Sequence, residues 1–88
     1  MRLDWDAEKD AANARKHGVP LSAAEGFDWS TALVAQDLRR DYGEMCMIAL
    51  GYLGPRLHVM IYTDRGAARR VISLRRADAR EVARYERY

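Results

Sequence analysis

The sequence predicts an α+β fold spanning residues 1–88: helices first, then an antiparallel sheet of about four strands, and a closing helix. Helical signals are confined to the two ends, where cap residues bracket runs without β-branched clusters. Between Thr31 and Leu74, apolar runs alternate with short turn-rich breaks, so consecutive strands are expected to pair as a meander. With 88 residues, 49% hydrophobic and 32% charged, there is enough apolar material for one core and too much for a disordered tail.

Arg2 to Trp5 places Leu3 and Trp5 alternately with polar neighbours and reads as a brief edge strand. Asp6 then caps a helix over Ala7 to His17, with Glu8 in its first turn and Lys16 and His17 in its last. Gly18 and Pro20 stop it. Ala7, Ala11 and Ala14 share a face suited to close packing, while Lys9, Asn13 and Lys16 share a polar, cationic one. The spacing Ser22-Ala-Ala-Glu25 is a capping box and predicts a second, shorter helix ending near Phe27. Phe27, Trp29, Trp5 and Tyr62 are expected in the core.

Strands are predicted over Ala32–Gln36, Met45–Tyr52, Leu57–Thr63 and Ala68–Leu74, with Leu38–Gly43 and Leu53-Gly54-Pro55 as loops. Asp64-Arg65-Gly66 reads as a three-residue hairpin turn. On the last strand Ile72 and Leu74 should face the core, with Arg69, Val71, Ser73 and Arg75 on the opposite side. The closing helix, about Asp78 to Glu86, carries a thin stripe of Ala79, Val82 and Ala83 beside Glu81, Tyr85 and Tyr88, and must lean on the sheet.

Composition narrows the function. No apolar run approaches the roughly 18 residues of a membrane span, and the N-terminus lacks a signal-peptide core, so a cytoplasmic protein is expected. The lone Cys46 has no internal disulfide partner, there is no Cys/His cluster at metal spacing, and no cofactor motif is present. Met1 to Pro55 holds six Lys and Arg against nine Asp and Glu, and Arg56 to Tyr88 nine against four, so −3 and +5 give the net +2. The arginines of the second half either meet a polyanion or solvate one face; charge alone leaves both open.

Separate motifs sharpen that choice. Trp5-Asp6-x-x-Lys9-x-x-x-Asn13-x-x-Lys16-His17-Gly18, then Asp41-Tyr42-Gly43-Glu44, the Ile48 to Gly51 segment, Tyr62-Thr63-x-Arg65-Gly66, and Arg70-Val71-Ile72-Ser73-x-Arg75-Arg76-Ala77-x-x-x-Glu81-x-x-x-Tyr85 run along nearly the whole chain. Together they resemble the BrnT family of toxins of bacterial type II toxin–antitoxin systems. The resemblance implies a RelE-like fold and a ribonuclease that halts growth by cutting RNA. It also implies a BrnA-type antitoxin, dimeric and DNA-binding, that joins the toxin in a heterotetramer, so that DNA is met only through the antitoxin. In one place the chain departs from the family's usual Gly-Glu-x-Arg, reading Gly43-Glu44-Met45-Cys46. A weakened, purely co-repressing toxin-like module, or compensation by Arg39 or Arg40, are the two expectations that follow.

Metal-free RNA cleavage needs a base for the 2′-OH, an acid for the leaving 5′ oxygen, and cations around the phosphate. His17, with an ordinary pKa of about 6.5, suits either proton-transfer role; Glu44 and Glu81 are alternative bases. Arg65, Arg75 and Arg76 are the expected phosphate stabilisers, and Lys9, Lys16, Arg70 and Tyr85 the expected RNA contacts. Plainer readings stand beside these: His17 closing its helix, Glu44 and Glu81 pairing with arginines, the lysines merely solvated. Cys46 reads as a small strand residue rather than a nucleophile.

Overall fold

The structure, a computed structural model, describes residues 1–88. In chain order it contains β1 (Arg2–Asp4), α1 (Ala7–His17), a 3-10 helix (Leu21–Gly26), β2 (Phe27–Gln36), β3 (Met47–Leu53), β4 (Arg56–Arg65), β5 (Ala68–Arg76) and α2 (Ala79–Glu86). The α+β class is as expected. The sheet, however, has five strands in the order β1-β5-β4-β3-β2, and β1 pairs parallel to β5, so it is mixed rather than purely antiparallel. The extra strand is the Arg2–Asp4 segment, which takes the β5 edge beside Ala68 to Arg70. No helix is long and apolar enough to cross a membrane.

Strand β2 starts earlier than expected, at Phe27, and absorbs the predicted end of the second helix. Its pairing with β3 shifts between Asp28 and Leu33, and the polar residues there account for the shift. Asp28 accepts from the Ser30 amide (3.1 Å) and hydroxyl (2.6 Å), while the Thr31 hydroxyl donates to the Asp28 carbonyl and accepts from the Tyr52 amide. Such side-chain bonds replace ladder bonds locally and make a bulge. They also hid the strand, because a bulge breaks the period-two pattern. Gly51 lies opposite the bulge; a Cβ there would meet Phe27 Cζ at 2.8 Å, so the close approach of that ring requires glycine.

The β4–β5 hairpin is tighter than the sequence suggests. Asp64 and Arg65 remain in the ladder opposite Arg69 and Ala68, leaving Gly66 and Ala67 as the connection. A second bulge lies on β5: Ser73 pairs with Ile61 and Val71 with Tyr62, so Ile72 has no partner opposite it. The facing of β5 changes accordingly. Val71, not Ile72, joins Leu74 in the larger core with Leu21, Ala24, Phe27, Ala49, Met60 and Tyr62. Ile72 turns to the other side of the sheet, onto a smaller cluster of Cys46, Val59 and Ile61.

Helix α1 begins and ends as expected. Asp6 accepts from the amides of Glu8 (2.9 Å) and Lys9 (3.1 Å), and Gly18 closes it at φ 76°, a conformation that L side chains resist. Its packing face differs. Ala7 and Ala11 are exposed, and the inward stripe is Asp10, Asn13, Ala14 and His17. Polar side chains do the docking: Asn13 is buried and donates to the carbonyls of Val19 (2.8 Å) and Leu74 (2.7 Å), and Asp10 accepts from the Ser22 amide.

Helix α2 carries a full capping box, Asp78 with Glu81. None of its residues is buried, and Ala79 and Ala83 are exposed, so the expected alanine stripe is not its contact. Glu81, Val82 and Tyr85 lean on the sheet instead, with Tyr85 edge-on to Tyr52 at 5.8 Å.

Candidate active site

The face of the sheet carrying Val59, Ile61 and Ile72 is the chemically rich one. Those residues line a cleft of about 550 Å³ together with Lys16 and His17 from the end of α1, Arg39, Arg40 and Tyr42 from the β2–β3 loop, and Ser73 and Arg75 from β5. Adjoining it is a second hollow of about 310 Å³ holding Lys9, Glu44, Arg65, Arg70 and Asp6. Tyr42 and Ile72 line both, which makes them one continuous basic track.

His17 reaches the cleft because α1 runs past the β5 edge and ends there. Gly18 N–H caps the Ala14 carbonyl, so the imidazole is not used to close the helix, and its ring makes no hydrogen bond with the protein. Burial lowers its pKa below the usual value, and the charges of Lys16 and Arg75 lower it further. A neutral imidazole with a free ring nitrogen beside two cations is a competent proton acceptor at neutral pH.

Arg75 is held by Glu81 through two 2.8 Å bonds, from Nη1 and Nη2, and Nη1 also donates to the Arg76 carbonyl at 3.2 Å. The Arg75 guanidinium, more than any other group, holds the Glu81 carboxyl below its ordinary range, and the Asp78 amide adds to the effect. Glu81 is thus committed twice, to the helix cap and to Arg75. It lines neither hollow and touches the cleft only through Arg75.

Glu44 is likewise paired, with Arg65 Nη2 at 2.8 Å and Nε at 3.3 Å, and that guanidinium lowers its pKa. Both lie in the second hollow with Lys9 and Arg70. Arg70 bonds to Asp4 at 3.0 Å, but its Nε is buried without a hydrogen-bond partner. Besides Glu81, two of the sequence candidates lie outside both hollows. Arg76 is exposed, opposite His58 on the ladder, and lines neither hollow. Tyr85 spends its hydroxyl on the Thr31 carbonyl at 2.6 Å, which pins α2 to the β2 bulge.

The loop between β2 and β3 holds a residue that the sequence reading did not single out, Asp37. Asp37, whose side chain is 1% exposed, accepts from Arg39 Nε (2.8 Å), Nη2 (3.1 Å) and backbone amide (3.1 Å), and from the Tyr42 hydroxyl (2.8 Å). These donors, Arg39 foremost, hold its carboxyl far below the usual carboxylate range. The signal was present in the sequence as Asp37-Leu38-Arg39-Arg40-Asp41-Tyr42, a loop unusually dense in paired charges. Cys46 sits beneath the cleft floor with Val59 and Ile61; burial pushes its thiol pKa up, so it is protonated and inert. Nowhere do three or more His, Cys, Asp or Glu side chains converge as metal ligands.

In comparisons with known proteins, a family model described as "Ribonuclease toxin, BrnT, of type II toxin-antitoxin system" matches residues 5–81. That span covers both hollows and reaches Glu81. No curated protein matches the chain.

Proposed function

The chain belongs to the BrnT family of ribonuclease toxins of type II toxin–antitoxin systems, and from that premise we propose that it cuts RNA endonucleolytically, without a metal, in the cleft between α1 and β5. The observation that carries the reading is His17: a neutral imidazole facing a cleft whose walls carry Lys16 and Arg75. His17 takes the proton of an RNA 2′-OH, whose oxygen attacks the adjacent phosphorus. The bond from phosphorus to the 5′ oxygen breaks, and the Lys16 ammonium returns a proton to that oxygen. A 2′,3′-cyclic phosphate and a 5′-hydroxyl result. Arg75, oriented by Glu81, stabilises the charge that gathers on the phosphate, and the Lys9, Arg65 and Arg70 hollow receives the neighbouring stretch of strand.

The same reading includes a RelE-like toxin fold, action in the cytoplasm, and neutralisation by a BrnA-type antitoxin whose dimer brings two toxins to DNA. Purified chain, freed of antitoxin and incubated with RNA in EDTA, should leave cyclic-phosphate ends, and His17→Ala should not. RNA left intact by wild-type protein that still binds its antitoxin would instead favour a co-repressing module without cleavage.

A further inference from the structure

Two guanidinium groups held by carboxylates line the cleft, and they are not equivalent. Arg75 points its terminal fork, Nη1 and Nη2, at Glu81, and Nη1 also serves the Arg76 carbonyl. What remains is its Nε flank, on a side chain 29% exposed. Arg39 is held the other way round: Asp37 grips Nε and Nη2, leaving Nη1 unbonded and the outer edge of the group open on a side chain 58% exposed. A guanidinium can take two phosphate oxygens at once on either edge, so the more exposed of the two groups, Arg39, is the one placed to meet them.

The support behind Arg39 is also the more rigid. Asp37 is buried to 1% exposure, its backbone amide is bonded to the Cys46 carbonyl at 2.8 Å, and Tyr42 satisfies its second oxygen. Burying a carboxylate costs free energy that an ion pair barely recovers, so such a pair is weak evidence for stability and better evidence for orientation. Arg40 lines the same cleft but has no salt-bridge partner to fix it. Arg65 resembles Arg39 in leaving Nη1 unbonded, yet its partner Glu44 is 36% exposed and the pair belongs to the second hollow.

We propose that Arg39 is the residue that grips the RNA phosphate in this cleft, and that Asp37 is the positioning residue that aims it. The proposal rests on reading the cleft as an RNA site. It makes Arg39, which the sequence offered with Arg40 as a compensating cation, the principal phosphate contact ahead of Arg65, Arg75 and Arg76, and leaves Arg75 a supporting charge.

The test is binding of a fluorescein-labelled 2′-O-methyl oligoribonucleotide, which cannot be cut, followed by anisotropy over a range of NaCl. Arg39→Ala should weaken binding about tenfold, the scale of one charge-assisted contact, and reduce the log–log salt slope by about 0.7. Arg39→Lys should keep the slope but not the affinity, because the charge remains and the fork is lost. Arg75→Ala should change the affinity by less than about threefold, since little of that guanidinium is free to meet the ligand. An Arg39→Ala protein that binds like wild type, or an Arg75→Ala protein that loses more, overturns the assignment while leaving the RNA site standing. Wild-type protein that does not bind the oligonucleotide overturns the assignment too, and parallel cleavage of unblocked RNA then shows whether the ribonuclease reading survives it. Arg39→Ala leaves the buried Asp37 carboxylate without its main partner, so its melting temperature should fall, and binding is compared at a temperature where circular dichroism shows every variant folded.

Discussion

Asn13 and Leu74 are joined as if they were neighbouring strand residues: the Asn13 amide donates to the Leu74 carbonyl at 2.7 Å and accepts from the Leu74 N–H at 3.4 Å. Strand β1 covers the β5 edge only from Ala68 to Arg70. Further along, the side chain of a helix supplies the missing pairing, and that contact sets where α1 ends and where His17 lies relative to Arg75. Replacing Asn13 by Ala strands buried backbone groups of Leu74 and frees the carbonyl of Val19. We expect a loss of about 2–3 kcal/mol, read as a lower urea midpoint at unchanged slope. Cleavage should also fall at temperatures where the variant is still folded, because His17 loses its register.

His17 gives two pH signatures. Its folded pKa lies below the ordinary 6.5, with burial the first cause. The active neutral form therefore persists to lower pH than for a free histidine, and the acid limb of kcat should fall below 6.5. For stability the sign follows from proton counting: the unfolded chain takes up the proton first as pH falls. The contribution of His17 is fully present above 6.5 and declines as pH drops through 6.5 toward the folded pKa. His17→Gln should flatten that decline in thermal melts and cut the rate by about 10²–10⁴-fold.

How far the site could be read from sequence differs element by element. The caps Asp6 and Gly18 are local chemistry, and the helix ends they mark are where the structure has them. Long-range choices were less legible. Nothing in the spacing of α1 distinguishes Asn13 from Lys9 and Lys16, because what buries it is the unpaired edge of a strand some sixty residues away. Facing on β5 was misread because a bulge at Ile72 inverts the period-two rule, and a bulge is a property of two strands together. Lys16, His17 and Arg75 were all recognised as candidates, and they meet in one cleft. The opposite ends of their ion pairs were read less fully: Glu81 was open between a base and an arginine partner, and the structure shows it bonded to Arg75, while Asp37 went unremarked.

Position 46 invites a direct check. The Cys46 thiol is buried against Val59 and Ile61 with a raised pKa. It should resist Ellman's reagent in the native protein and react promptly once the chain is unfolded in guanidinium chloride. Cys46→Arg forces a guanidinium into the layer under the cleft, so we expect a loss of about 3 kcal/mol or more and no gain in cleavage. A stable, more active Cys46→Arg protein would mean that the site lacks a cation Arg39 does not provide.

The last prediction concerns α2, which has no buried residue and is tied to the body at two places, Tyr85 to Thr31 and Glu81 to Arg75. The two ties differ in kind. Tyr85→Phe removes a single hydrogen bond, worth about 0.5–1.5 kcal/mol, and leaves the ring against Tyr52. Its effect should be local: faster removal of the C-terminal residues by carboxypeptidase, and faster amide exchange in α2, with kcat near wild type. Glu81→Gln keeps a side chain of the same length at the cap but removes the charge that holds Arg75. It should lower kcat more than it raises KM, since the phosphate contact assigned to Arg39 is intact and the charge aimed at the transition state is not. Asp78→Ala separates the effects. It removes the N-cap, costing about 1 kcal/mol, without touching the Arg75 pair. If Asp78→Ala and Glu81→Gln depress kcat equally, helix formation matters to the cleft and the ion pair does not; the geometry predicts a much larger fall for Glu81→Gln.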